Sequence, residues 1–295
     1  MNYIFYIAVT AILYAILTSG VNIISGRCGQ ITLCSAAFFA LGGYATAILT
    51  KDCSLSWWIA LLVSEACVVG LAYVLSQALF RVPKDQFVML SLLLNIAVYY
   101  ALARPDGLTG GAMGIVGIPP IRLGHLAIMS PAAYLFIVLL FYLAVHFLLR
   151  LVFRAPFARS LQAIREDEIF ACITGKNVFW QKSHAFALMA FLSVLAGSLY
   201  VPYISYVDPN IATLGESILI LSMMIIGGSG SLWGPFAGAV VLVALPELLR
   251  FVGIPFAVAA NIRQILYGLA LVVCMLWRPQ GLIGEYAFGR EPKSK

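Results

Sequence analysis

Gly227-Gly-Ser-Gly230 matches the G-x-S-G signature with which an intramembrane protease presents a nucleophilic serine. Such a serine is weak until a neighbouring base takes its proton. The three histidines, His125, His146 and His184, all precede Ser229, whereas in rhomboid proteases the base follows the serine. Nucleotide hydrolysis finds no better footing. No G-x-x-x-x-G-K-[ST] occurs, and Gly175-Lys176-Asn177 lacks both the upstream glycine and the hydroxyl of a phosphate loop. An ion or proton relay would need carboxylates repeated inside the apolar runs. Glu65 falls within one run, Glu216 at the start of another and Glu247 near the end of a third, beside Pro246. A carboxylate at the bilayer centre costs roughly 2.5–3.5 kcal/mol on insertion scales, and these scattered acids do not form a relay. Glu65 either hydrogen-bonds a neighbouring helix or has a role of its own. The six cysteines (28, 34, 53, 67, 172 and 274) form no C-x-x-C pair and mostly lie in or beside apolar runs, where cysteine acts as a small apolar residue. No catalytic residue, metal site or cofactor of this chain's own is expected.

What surrounds these residues is membrane. The chain is 62% apolar and 10% charged, with a mean hydropathy of +0.99, against roughly 25% charged residues in a soluble domain. A span takes about 20 apolar residues. Candidate spans are Tyr3–Ser25, Ile31–Leu49, Trp57–Phe80, Phe87–Leu102, Pro131–Leu149, Ser183–Val201, Gly215–Ile226, Pro235–Leu249 and Ile262–Trp277. The seventh and eighth are short, flank Gly227–Gly234 and could be halves of re-entrant elements. The expected fold is all-α and polytopic, with about 8–10 transmembrane helices, some short or broken. It forms one transmembrane domain over residues 1–285 and a tail over 286–295. The first run has no basic residue before it and reads as a retained span rather than a signal peptide.

Orientation follows from lysine and arginine. With residues 150–182 and the tail inside, thirteen of the 18 basic residues are cytoplasmic, as the positive-inside tendency favours. Alternation then puts the amino terminus outside. The net charge of +6 is thereby accounted for by loops and gives no reason to expect nucleic acid as a partner.

Three stretches stand out within this frame. The cytoplasmic segment 150–182 carries Arg159, Ala163, Ile164, Arg165, Glu166, Asp167 and Glu168, with Gly175 as a helix stop. Leu161, Ile164, Glu168 and Cys172 fall at helical spacings, so a short helix with an apolar edge and a charged rim would suit a groove on a soluble partner. The second stretch comprises two glycine-rich breaks, Gly26–Gly29 and Gly227–Gly234, the latter including Gly228 and Ser229. Each lies beside small and aromatic residues, and broken backbone at membrane depth is tolerated where protein buries it or water lines it. Ser35, Phe38, Phe39 and Gly42 follow a helical rhythm beside the first break and would either wall a pathway or pack against another helix. On the opposite side, the Gly- and Pro-rich loop 103–130 either meets an extracytoplasmic partner or simply connects two spans.

The order of these motifs resembles the LivH/LivM family of permeases from ABC importers of branched-chain amino acids, nearer the LivM side. The matching residues are Gly29–Tyr44, Leu108-Thr-Gly-Gly111, Ala163–Ile169 through Gly175-Lys-Asn-Val178, Ala185-Phe-Ala187 through Ala196-Gly197, Gly227–Pro235, Pro246–Arg250 and Pro279–Gly284. They cover nearly the whole chain. The resemblance implies a multi-pass permease of the bacterial inner membrane with a second homologous permease subunit, two cytoplasmic ABC ATPases that bind ATP and Mg, and an extracytoplasmic solute-binding protein. It also implies that Ala163–Gly175 is the segment that couples to the ATPases. Cys34-Ser35 stands where members often carry Gly-His, and Arg27-Cys28 where they carry a glycine-rich pair. Substrate assignment is therefore open to amides, urea and other small metabolites. The rival reading is a self-sufficient secondary transporter.

Overall fold

The computed structural model describes residues 2–104, 109–123, 126–127, 130–250, 265, 267–269, 271–273, 276 and 281–283. Among them, five helices are long and apolar enough to cross a membrane. The first is α1 (Asn2–Val21), which continues through a π-helical turn at Asn22–Arg27. The others are α3 (Trp57–Leu79), α4 (Lys84–Leu102), α5 (Pro131–Arg154) and α8 (Val178–Ile204). Three shorter apolar helices among the described residues join them: α2 (Ser35–Lys51), α9 (Leu214–Gly227) and α10 (Gly234–Arg250). Two small helices, α6 (Pro156–Glu166) and α7 (Glu168–Ile173), fill the expected cytoplasmic segment. Of the ninth candidate span, residues 265, 267–269, 271–273 and 276 are described and are helical, while its other positions, the tail 286–295, His125 and Cys274 lie outside the described residues.

Burial follows sequence character. The middle of α8, from Ala185 to Leu199, is buried almost all round, as a helix without a polar face requires. It forms the axis on which α1, α2 and α3 pack. Close approach depends on small residues: a Cβ on Gly197 of α8 would lie 2.1 Å from the Phe39 carbonyl oxygen of α2. The same device joins the two short helices, since a Cβ on Gly238 of α10 would lie 1.9 Å from the Met223 oxygen of α9. By contrast, α3, α4 and α5 turn large apolar residues such as Leu62, Met89 and Phe147 outward, toward lipid or another membrane chain.

The second expected span differs from the structure. Its helix begins at Ser35 rather than Ile31, because Cys28–Cys34 runs as irregular backbone, mostly buried but with Ile31 exposed. Side chains satisfy that stretch: Ser25 Oγ donates to the Gln30 oxygen at 3.0 Å, and Ser91 Oγ accepts the Leu33 amide at 3.1 Å. The segment still crosses the full thickness of the bundle. Gly29 abuts Arg165 of α6 at one end, while Lys51 Nζ donates to the Val116 oxygen at the other, 2.9 Å away. Tyr6 of α1 stacks on Tyr203 at 6.0 Å, so the start of α1 lies opposite α6 and α7, as alternation required.

Within residues 103–130 the chain forms a 3-10 turn at Gly111–Met113 and the strands β1 (Ile115–Val116), β2 (Arg122–Leu123) and β3 (Leu126–Ala127). Strand β1 pairs antiparallel with β4 (Tyr206–Val207), Ile115 facing Val207. This ties the loop to the turn after α8.

Candidate functional site

The cytoplasmic segment is not one helix. Asp167, at φ −151° and ψ 113°, breaks it into α6 and α7. Its carboxylate accepts the Ile169 and Phe170 amides at 2.8 and 3.1 Å, an N-cap that satisfies two otherwise orphaned donors. Glu168 faces inward to two lysines. Lys182 of α8 lies 2.5 Å from its Oε1, and Lys84 at the start of α4 lies 3.6 Å from its Oε2. Two of the three acids expected to rim a docking surface thus hold local structure, although Asp167 is exposed like Glu166, and Glu166 is the one without such a role among the described bonds.

The apolar edge also lies elsewhere. Leu161 and Ile164 of α6, with Ala158, are buried in the chain's own core, Ala163 is half-buried and Arg159 points outward. The unpartnered apolar surface belongs to α7, where Ile169, Phe170 and Ile173 are 73%, 61% and 77% exposed. Gly175, at φ +78°, ends the segment as expected, its amide reaching the Cys172 oxygen at 3.0 Å, and Asn177 caps α8.

Arg165 connects this platform to the membrane bundle. Its guanidinium donates to the Gly26 carbonyl at the end of the π-helical turn, and its alkyl stem covers Gly29, where a Cβ would lie 2.8 Å from Arg165 Cγ. The neighbouring Arg27 is buried with its guanidinium carbon 4.3 Å from the Phe153 ring centroid.

The two glycine-rich breaks meet. Helix α9 ends at Gly227, and Gly228 and Gly230 take φ values of +115° and +82° before α10 begins. Asn22, in the π-helical turn of the first break, accepts the Gly230 amide at 2.7 Å and donates to the Ser231 oxygen at 2.8 Å. Ser231 Oγ accepts the Gly234 amide at 2.9 Å, and Ser229 is buried in the same loop. The Leu282 and Ile283 amides reach the Ile226 and Gly227 oxygens at 2.9 Å each, satisfying carbonyls that the end of α9 leaves open. A line of bonded groups therefore runs from α6 through Gly26 and Asn22 to the second break.

Helix α2 places Ser35, Phe38, Phe39 and Gly42 on a buried face. Phe38 meets Phe186 edge-on at 5.5 Å, Phe39 tilts against Tyr200 at 5.3 Å, and a Cβ on Gly42 would lie 2.6 Å from Val194 Cα. Phe38, Phe39 and Gly42 therefore pack against α8 within this chain. The hydroxyls of Thr46, Ser64 and Ser198 continue that seam, Thr46 Oγ1 lying 2.7 Å from Ser198 Oγ.

Several polar residues inside the bundle carry weight that local sequence pattern gave no reason to assign. Asn95, within α4, donates to the Ala212 oxygen at 3.1 Å and accepts from Ser217 Oγ at 3.3 Å. Those bonds hold the 3-10 turn Pro209–Ala212 and the start of α9 against α4. Glu216, expected at a membrane edge, accepts the Tyr14 hydroxyl at 3.0 Å. Tyr14 lies eleven residues into a span of 25, about 16 Å along an axis that rises about 1.5 Å per residue, so Glu216 is at mid-depth. Glu65 of α3 is 8% exposed, and its carboxyl oxygens have no hydrogen-bond partner among the described residues; the bond to a neighbouring helix is not made there.

Comparison with known proteins fits this arrangement. Residues 3–275 match the family described as branched-chain amino acid transport system / permease component. The high-affinity branched-chain amino acid transport system permease protein LivM of Escherichia coli (strain K12) is 28% identical over 301 residues, covering 94% of this chain and 69% of that protein. The probable branched-chain amino acid transport permease protein LivM of Methanocaldococcus jannaschii is 25% identical over 241 residues, covering 77% and 68%. PsaBC from Streptococcus pneumoniae in complex with Fab overlays with a TM-score of 0.45 at 15% identity, over 93% of this chain and 91% of that one, too loosely to bear on function.

Proposed function

The chain belongs to the branched-chain amino acid transport system permease family, and on that premise we propose that it forms half of the transmembrane pathway of an importer for branched-chain amino acids or similar small amphiphilic solutes. Two cytoplasmic ABC ATPases, loaded with ATP and Mg, drive the cycle. A second homologous permease supplies the other half of the pathway, and an extracytoplasmic binding protein delivers the solute.

The observation that carries the reading is the build of α7. A six-residue helix cannot hold itself in water, yet this one is capped by Asp167 and clamped through Glu168 to Lys182 and Lys84. It presents Ile169, Phe170 and Ile173 to solvent. An exposed apolar cluster on a fixed mount suits a protein groove. Beside it a cavity of about 550 Å³, lined by Phe80, Glu168, Lys176, Phe179 and Lys182 among others, receives what docks there. Because Arg165 and Asn22 link this platform to both backbone breaks, a pull on α6 and α7 reaches the bundle interior without passing through flexible loop.

Purification in mild detergent with the candidate ATPases, a second permease and a binding protein, followed by reconstitution, tests the proposal. Leucine should accumulate only with ATP and binding protein present. Accumulation by the isolated chain under a proton or sodium gradient overturns it in favour of a secondary transporter.

A further inference from the structure

The extracytoplasmic half of the bundle holds an acid at mid-depth that has no cationic partner among the described residues. Glu216 lies in the first turn of α9. Its one described hydrogen bond comes from the Tyr14 hydroxyl at 3.0 Å, and the ion pairs described elsewhere in the chain involve Glu168 alone. Both Glu216 and Tyr14 are partly exposed. An ionisable group at this depth is costly and in membrane proteins commonly belongs to a substrate route. The setting agrees: α9 starts inside the membrane after the 3-10 turn Pro209–Ala212, and interrupted helices of this kind build transporter sites near the midplane.

Tyrosines lead toward it from the outer end. Tyr6 stacks on Tyr203 at 6.0 Å, and Tyr203 packs against Tyr134 at 4.7 Å. Tyr200, one turn deeper on α8, is partly exposed. Aromatic faces attract ammonium groups, and a carboxylate at the end of such a file completes a site for one.

We propose that Glu216, oriented by Tyr14, is the point in the translocation route that receives the α-ammonium group of the passing amino acid. This rests on the importer reading above. A zwitterion entering the bilayer needs a counter-charge for its ammonium group, and a single carboxylate, unpaired with any lysine or arginine among the described residues, supplies it while leaving the contact weak enough to release.

The test uses the reconstituted complete transporter with saturating leucine-loaded binding protein. Glu216→Gln should lower leucine uptake at least tenfold while binding-protein-stimulated ATP hydrolysis stays within twofold of wild type. Glu216→Asp should retain a third or more of the uptake, and Tyr14→Phe should reduce it about threefold. A second arm needs no variant: 3-methylbutylammonium should inhibit wild-type uptake at least fivefold more strongly than 4-methylpentanoate, since one carries the ammonium and the other only the carboxylate. Normal uptake by Glu216→Gln, or equal inhibition by the acid, overturns the assignment. If wild type itself imports no amino acid, the importer reading fails, a result separable from either of these.

Discussion

Asn22 bridges the two interrupted backbones of the bundle, accepting the Gly230 amide and donating to the Ser231 carbonyl 209 residues away. One buried carboxamide thus serves a donor and an acceptor that would otherwise be unsatisfied in the membrane interior. Asn22→Ala should destabilise the protein by about 3 kcal/mol, from two buried groups at roughly 1–3 kcal/mol each. Thermal unfolding followed by size-exclusion chromatography measures this, with Thr10→Ala, whose hydroxyl bonds at an exposed site, as the unaffected control. Equal unfolding temperatures for the two variants would remove the bridge from the account.

Glu168 is expected to behave as a structural counter-ion rather than a docking residue. Lys182 has only 8% of its side chain exposed and lies 2.5 Å from that carboxylate. Glu168→Gln should cost about 2 kcal/mol, in the range for a charged hydrogen bond. Glu168→Gln with Lys182→Met should recover at least half, because the stranded charge is then gone. Additive losses in the double variant contradict this.

How far the sequence was legible depends on the distance over which partners act. The apolar runs gave the long helices, and Gly175 and the glycine-rich stretch after Ile226 marked real helix ends, because those signals are local. The break at Asp167 was hidden inside a charged triplet that reads equally well as a helix rim, and the choice was made by its bonds to Ile169 and Phe170. Asn22, Asn95 and Arg165 bond partners 209, 117 and 139 residues away, separations that leave no periodicity to read. The depth of Glu216 is set by how Pro209–Ala212 folds inward, so its place in the seventh run suggested an edge. Ser35, Phe38, Phe39 and Gly42 share a face as their spacing said, but spacing does not say which helix covers it.

Two glycine substitutions should separate close packing from open surface. Gly197→Ala puts a Cβ 2.1 Å from the Phe39 oxygen, a backbone atom that cannot swing aside. It should abolish folded material on size-exclusion chromatography. Gly70→Ala, on α3 with nothing within 4 Å, should be neutral or stabilising by up to about 1 kcal/mol, since alanine favours helix over glycine. The reverse ranking would mean that α2 and α8 do not meet as described.

The native cysteines report topology without added residues, once Cys274 is replaced by alanine. Cys53, in the turn after α2, and Cys172, on α7, are both exposed at opposite ends of the bundle. Just past the first span, burial pushes the Cys28 thiol up to about 12, against the opposing pull of Lys182 and Lys84, so it should stay unreactive at neutral pH. A membrane-impermeant maleimide applied to right-side-out vesicles should label Cys53 and spare Cys172, with the pattern exchanged in inside-out vesicles. Labelling of both from one side would break the alternation of spans.

Helix α7 is where exposed apolar area and fixed geometry coincide, so the affinity for the ATPases should concentrate there rather than on the acids beside it. Truncating a few well-placed apolar anchors commonly removes most of an interface's binding energy. Phe170→Ser with Ile173→Ser should therefore lower ATPase co-purification at least tenfold. The unfolding temperature of the permease should hold, because both side chains already face solvent. Glu166→Lys, an exposed charge at the end of α6, should alter the salt dependence of assembly and little else. If the serine variant keeps its ATPases while Glu166→Lys loses them, the contact is electrostatic and centred on α6, and the apolar face of α7 serves another surface.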